Sequence, residues 1–348
     1  MNKNDFVTVF IVPTGVGASI GGYAGDASPA VNLISRICPV IANPNAVNAA
    51  VFSGINKNIL YTEGFAIDSF FKGETALRSS KYNTIGVIFD KAIPQNVLNM
   101  HINTINAVKS TYGLDILDYI ITDNEVGVSF SVSDSGISTG NIENPDTLIN
   151  AADNLINQGA QALAVVTFFK DDEGTEYSKG HGVDPVGGVE AIISHLLTSE
   201  FKIPVAHAPA FGEESLMITS EIVDKRAAAE YITPTFLPCV LLGLYNAPQI
   251  VDIKNSRYYD ITLNSVKALI TPYDCLGGIP VLKAIENNIP VLAVYENQTV
   301  LNITAKALNI ENKVITVRNY LEAAGYLLAL KEGIAINSIT ANHFGKAE

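Results

Sequence analysis

Basic side chains are scarce in this sequence and never cluster. Its 22 Lys and Arg stand against 35 Asp and Glu, giving a formal charge of -13. A nucleic-acid binder needs a basic patch to neutralise phosphates, so that class is excluded. Cysteine is equally thin. Cys38, Cys239 and Cys275 are odd in number and irregular in spacing, and they assemble neither a disulfide framework nor a Cys-x-x-Cys metal site. Long apolar runs are missing as well. After Met1-Asn2-Lys3-Asn4-Asp5 comes only the stretch from Phe6 to Pro13, too short for a secretory core with its cleavage site. No segment approaches the ~20 apolar residues of a membrane span. The expectation is a soluble cytoplasmic protein with no membrane partner. No internal repeat or low-complexity tract interrupts the chain.

What remains is ample core material. At 348 residues the chain exceeds the usual single-core size, so two lobes are expected, with residues 1–160 forming one and 161–348 the other. Hydrophobic residues make up 48% and charged residues 16%. A surface so poor in charge suits a homo-oligomer.

Short, wholly apolar runs recur: Val7 to Val12, Thr84 to Phe89, Tyr119 to Thr122, Ala162 to Phe168, Val266 to Thr271, Val291 to Tyr295 and Val314 to Val317. Lack of alternation marks strands covered on both faces. Between them lie amphipathic segments at Pro94 to Tyr112, Pro145 to Gln158, Gly187 to Thr198, Ile279 to Asn287, Ile303 to Leu308 and Tyr320 to Lys331. Strand and helix in alternation predict an α/β fold, mainly parallel, with Rossmann-like three-layer sheets and a cleft between the lobes. The polar segment Ser129 to Asn144 reads as a hairpin or surface excursion. Lys170 to Gly182 reads as a functional loop.

Glycine-rich junctions carry the candidate site. Pro13 to Asp26 follows a strand, precedes a helix starting near Ser28-Pro29, and contains Gly15, Gly17, Gly21, Gly22 and Gly25. Such a loop either lets backbone N–H groups cradle an anion at a helix N-terminus or supplies a tight turn with positive φ. The spacing misses the dinucleotide fingerprint by one residue and lacks the P-loop Lys-Ser/Thr, so neither NAD nor a nucleotide triphosphate is indicated, and the cofactor stays unassigned. A second junction, Asp274-Cys275-Leu276-Gly277-Gly278, stands at another strand-to-helix join. In open parallel sheets these joins lie on the ligand-binding edge. Glu63, Asp123 and Asn297 also follow expected strand ends.

His181, flanked by Gly180 and Gly182 and three residues before Asp184, is free to point into a cleft. His207 follows the expected strand Ile203 to Ala206. Histidine with a carboxylate supplies a base near neutral pH. His181, Asp184 and His207 are also residue types that suit zinc or iron, though no tight metal signature links them. Cys275 precedes a helix whose N-terminus would favour thiolate, so it reads either as a nucleophile or proton donor or as a plain turn cysteine. Cys239 and His101 read as core, and His195 and His343 carry no assignment.

Taken together, Pro13-Thr14-Gly15 through Asp26, Gly180 to Pro185, Ala206 to Ala210, Phe236 to Cys239, and Cys275 to Gly278 with Glu296-Asn297 resemble an uncharacterised family. It is the domain of unknown function 3326, found in cyanobacteria, plants and some other bacteria. The resemblance spans nearly the whole chain and implies one family-length unit, without supplying a reaction. Asp274 to Gly277 followed by Ile289-Pro290-Val291 is also similar to the second cysteine region of aspartate/glutamate-type racemases, which use two opposed cysteines; the partner cysteine is missing after Val12-Pro13-Thr14.

The functional expectation is an enzyme acting on a small polar or anionic metabolite by acid–base chemistry, a lyase or isomerase in preference to a hydrolase. Thr14, Gly15, Gly17, Ser19, Gly21, Gly22, Asp26, Gly277, Gly278 and Asn297 would hold the ligand. His181, Asp184, His207 and Cys275 would move protons. The rival is a non-catalytic regulatory protein that binds a metabolite or nucleotide in the same cleft.

Overall fold

Two parallel sheets organise the computed structural model, which describes residues 6–170, 176–217 and 221–340. The larger sheet runs β14 (Val314–Val317), β13 (Val291–Val294), β12 (Val266–Pro272), β1 (Val7–Phe10), β2 (Val40–Ala42), β3 (Ile59–Tyr61), all parallel. The smaller runs β10 (Val205–Ala210), β9 (Ala162–Phe168), β5 (Ile85–Phe89), β6 (Ile116–Ile121), again parallel. Two ribbons complete the strands. β4 (Thr75–Arg78) pairs antiparallel with β11 (Gln249–Asp252), where the chain leaves and re-enters the larger lobe. β7 (Val128–Val132) and β8 (Ser138–Ile142) form the expected hairpin.

Both sheets are covered on two faces, which is why their strands are apolar throughout. On the larger sheet, Phe10, Val40, Ala42 and Ile270 face α1 (Ser28–Ser35) and α9 (Tyr320–Lys331). The alternate residues Val7, Val9, Ile41 and Leu269 face α2 (Gly64–Phe71) and α8 (Ile279–Glu286). On the smaller sheet, Val87, Ala164 and Ala206 meet α3 (Gln95–Tyr112) and α7 (Leu237–Tyr245). Ile88, Val165 and Val205 meet α4 (Pro145–Asn157) and α5 (Gly187–Phe201). A short α6 (Ala228–Tyr231) precedes α7. Helix ends follow local chemistry: α3 stops at Gly113 in the left-handed region with φ 68, and Asn319 caps α9 by accepting from Leu321 N and Glu322 N.

The expected cut near residue 160 falls between β5 and β9, which are hydrogen-bonded neighbours. Sheet pairing instead joins the two ends of the chain in the larger lobe and leaves the middle for the smaller one. Ile303 to Leu308 is a turn and not the expected helix, because the Ile303 backbone is taken up by a bridge to Cys275, and its N–H donates to Asp274 O. β10 begins at Val205 and continues through His207 to Ala210, later than expected. Of the loop from Lys170 to Gly182, residues 171–175 lie outside the described segments, as does His343; Glu176–Lys179 is a 3-10 turn.

The two halves of the larger sheet are locked by Asn297, which is fully buried. Its Oδ1 accepts from Ile20 N at 2.9 Å, and its Nδ2 donates to Ile20 O at 2.8 Å and to Tyr320 Oη at 2.7 Å. Replacing Asn297 by Ala removes the partner of all three groups, which predicts a loss of about 3 kcal/mol in denaturant unfolding. A loss below about 1 kcal/mol would show that the clamp is dispensable.

Candidate active site between the sheet ends

The strand order reverses between β1 and β12, because β2 and β3 extend one way and β13 and β14 the other. Ligands bind at such switch points, outside the carboxyl ends of the strands. Here Pro13 and Thr14 after β1, and Thr271, Cys275 and Gly278 at and after β12, line a cavity of about 760 Å³. The smaller lobe closes it with His207, Pro209 and Phe211 from β10 and its exit, with Asp184, Pro185 and Val186 just before α5, and with Glu190, Ser194 and His195 on α5.

Two histidine–carboxylate pairs face this space. His207 Nδ1 is 2.8 Å from Ser194 Oγ. Its Nε2 is 2.6 Å from Glu190 Oε1, off the line of an ideal ring N–H bond, and only 11% of the side chain is exposed. The second pair joins the lobes. His195 Nδ1 is 2.5 Å from Glu63 Oε1, while Glu63 Oε2 accepts from Phe65 N as the cap of α2. Burial lowers the His195 pKa, but the Glu63 and Asp68 carboxylates outweigh it and leave it raised. Gly64 makes this contact feasible, since a Cβ there would sit 2.7 Å from His195 Cε1.

A third group consists of carboxylates. Asp184 Oδ1 accepts from Val186 N at 3.1 Å and Gly187 N at 3.2 Å, capping α5. Glu230 Oε1 accepts from Ala24 N at 2.7 Å and Tyr177 Oη at 2.9 Å. Burial, reinforced by Glu190, pushes Asp184 up to about 7. Burial and the neighbouring Asp184 push Glu230 up to about 8. Such displaced carboxyls in a cleft are typical of functional sites.

Of the residues picked from sequence, Thr14, Asp184, His207, Cys275 and Gly278 line the cavity. His181 is exposed and outside its wall. Gly15, Gly17, Ser19, Gly21, Gly22, Asp26, Gly277 and Asn297 also lie outside the wall. The glycine loop works as a bracket: Gly15, Gly17, Gly21 and Gly25 all take positive φ, and Ser19 N donates to Gln298 O. Asp26 Oδ1 accepts from Gly21 N and Tyr23 N, and burial raises its pKa to about 6. Asp123 is exposed, with its carbonyl accepting from Lys91 Nζ.

The thiolate expected at Cys275 is overturned. The thiol is 5% exposed, 3.2 Å from Thr271 Oγ1, and burial pushes its pKa up to about 12. Cys38 and Cys239 are buried away from the cavity wall, so no opposed thiol pair faces it. Among the described residues no three His, Cys, Asp or Glu side chains form a group that could hold a metal.

Glu190, Ser194, His195 and Glu230 are among the cavity residues that the sequence reading did not select. Glu190, Ser194 and His195 occupy one face of a helix at i, i+4 and i+5, which is the signal that would have found them.

A family described as Protein of unknown function (DUF3326) matches residues 7–340. The chain belongs to this family. An uncharacterized lipoprotein from Synechococcus sp. is 40% identical over 339 residues, covering 96% of this chain and 93% of its own length. The DUF3326 unit thus contains both sheets and the whole cavity wall. Among the described residues no helix is long and apolar enough to cross a membrane.

The raised carboxyls set a pH dependence for this DUF3326 protein. In the unfolded chain Asp184 and Glu230 lose their protons near pH 4, whereas in the fold they hold them to about 7 and about 8. Their contribution to stability is therefore complete below about pH 4 and disappears as the pH rises to about 8. Asp184→Asn keeps the cap and removes that titration. From about pH 5 to about 8 the variant is expected to lose less stability than the parent, by on the order of 3 kcal/mol, in thermal unfolding series. An equally steep decline in both proteins would contradict the placement of Asp184.

Proposed function

We propose that the cavity is the active site of an enzyme that moves protons on a small polar metabolite, as a lyase or isomerase. The observation that carries this reading is His207 held between the Glu190 carboxylate and the Ser194 hydroxyl, all three in the cavity wall. An imidazole bridged in this way can take a proton at one side and return it at the other, which is the economy an isomerase or lyase needs. His195 with Glu63 supplies a second acid–base pair from the opposite lobe. Nothing comparable favours hydrolysis: Ser194 lies within a helix whose N–H groups are already bonded, leaving no donors beside it for an oxyanion.

A cytoplasmic setting and a homo-oligomer extend the proposal. Three buried, unpaired thiols support the first and the charge-poor composition the second. The Synechococcus relative is a lipoprotein by name, so cell fractionation decides between the cytosol and a membrane.

A thermal-shift screen of metabolites comes first, because a ligand at 100 times its Kd stabilises by about 2.7 kcal/mol. With the ligand in hand, His207→Gln is expected to cut kcat by about 100- to 10,000-fold while ligand-induced stabilisation persists. His181→Ala, outside the wall, should leave kcat unchanged. Full turnover by His207→Gln would refute the assignment, and ligand affinity without turnover in any variant or at any pH would make the protein a sensor.

A further inference from the structure

We propose that the ligand of this cavity carries an ammonium or guanidinium group, seated against Asp184, Glu190 and Glu230 beside the rings of Tyr177 and Tyr231. The inference rests on the preceding reading only for the location of the site. Among the described residues, the wall contains Glu63, Asp68, Asp184, Glu190, Glu214 and Glu230 and not one Lys or Arg. Glu63 has His195 as its partner, and Glu190 has His207. Among the described residues Asp184 and Glu230 have no cationic partner. Each spends one oxygen on neutral donors, and no described residue donates to Asp184 Oδ2 or Glu230 Oε2. Arg226 is nearby but committed: it bonds Asp224 and Gly180 O and stacks over the Tyr23 ring, outside the wall.

An anion fits poorly. The N–H groups of Ser19, Ile20, Gly21, Tyr23 and Ala24 are all consumed within the protein, so the glycine loop offers few donors. Asp184 itself occupies the start of α5, where an anion would otherwise dock. A cation satisfies the idle acceptors, and Tyr177 and Tyr231 stand in the same stretch of wall.

Binding should also release protons. Asp184 is faced by Glu190, Glu230, His207 and Tyr177, and Glu230 by Asp184, Glu190, Tyr177, Ala24 N, Tyr23 and Tyr231. Arg226 with Asp26 and Asp224 acts on Tyr23 one shell further out. Near neutral pH Asp184 and Glu230 are partly protonated, and a bound cation draws them into the ionised form.

The test uses matched small probes on the full chain: putrescine and agmatine against 1,4-butanediol, succinate and inorganic phosphate, by thermal shift and calorimetry. At least one amine is expected to bind, with Kd falling up to about tenfold per pH unit from about pH 6 to about 8. Asp184→Asn and Glu230→Gln should each weaken the amine at least about tenfold without lowering the ligand-free melting temperature below the parent's. Binding of neither amine, tighter binding of succinate or phosphate, or amine binding indifferent to both substitutions overturns the charge assignment. His207→Gln separates this from the catalytic reading. It should retain amine affinity, so an amine that binds tightly with no turnover defeats only the enzyme proposal. A substrate anion turned over through His207 defeats only the present one.

Discussion

The parallel pairing of β1 with β12 is the constraint on which everything else depends. It brings residues near the start of the chain, Val7 to Phe10, beside Val266 to Ile270, and so makes one sheet from the two ends of the sequence. A parallel neighbour cannot be reached by a tight turn. The chain must travel before it returns, and here it builds a second sheet on the way. The same pairing creates the reversal of strand order, and with it the crevice where Thr14 and Cys275 come to face one space. Amide side chains tie the loops at this edge, and that of Asn297 crosses the seam to Ile20. Asn43 spans Val12 N and O, Asn45 reaches Gly21 O, and Asn297 holds Ile20 and Tyr320.

Against that seam, α5 acts as the chemical platform of the smaller lobe. Asp184 precedes it and accepts from Val186 N and Gly187 N, its first turn carries Glu190, and the next presents Ser194 and His195 along the face that meets β10 and α2. His207 is fixed by sheet pairing on β10, and its partners are fixed by helix geometry on α5. The ring therefore has rigid supports on both sides, as the proposed proton transfer would require. Glu63 is placed with equal economy, because the same carboxylate caps α2 and meets His195.

Much of the fold was legible because buried parallel strands leave an unambiguous pattern. β9, β14 and α9 fall on the expected residues, and the hairpin of β7 and β8 was signalled by polar composition alone. The three-residue strands β2 and β3 were not seen, since Val40 to Ala42 and Ile59 to Tyr61 are too short to show a period. Ile303 to Leu308 misled because its apolar spacing suits a helix, while a tertiary bridge to Cys275 takes its backbone. At the site, motif reading finds residues at loops and strand exits. It found Asp184 and His207 but passed over Glu190 and Ser194, which are ordinary residues of an amphipathic helix until β10 is laid beside them.

The glycine loop shows how one motif supports opposite functions. From sequence, a glycine-rich turn before a helix promises free N–H groups. In the fold, Asp26, Asn297, Gln298 and Glu230 accept those N–H groups, and the loop spends its donors on holding the lobes in register. What the cavity retains is a surplus of acceptors: carboxylate oxygens with no cation beside them and imidazoles tied to other carboxylates. A wall of that kind costs desolvation energy when empty, which the raised carboxyl pKa values express. Protonation relieves part of that cost, and a ligand that brings donors and positive charge would relieve it as well, which is the ground for the ammonium or guanidinium proposed above.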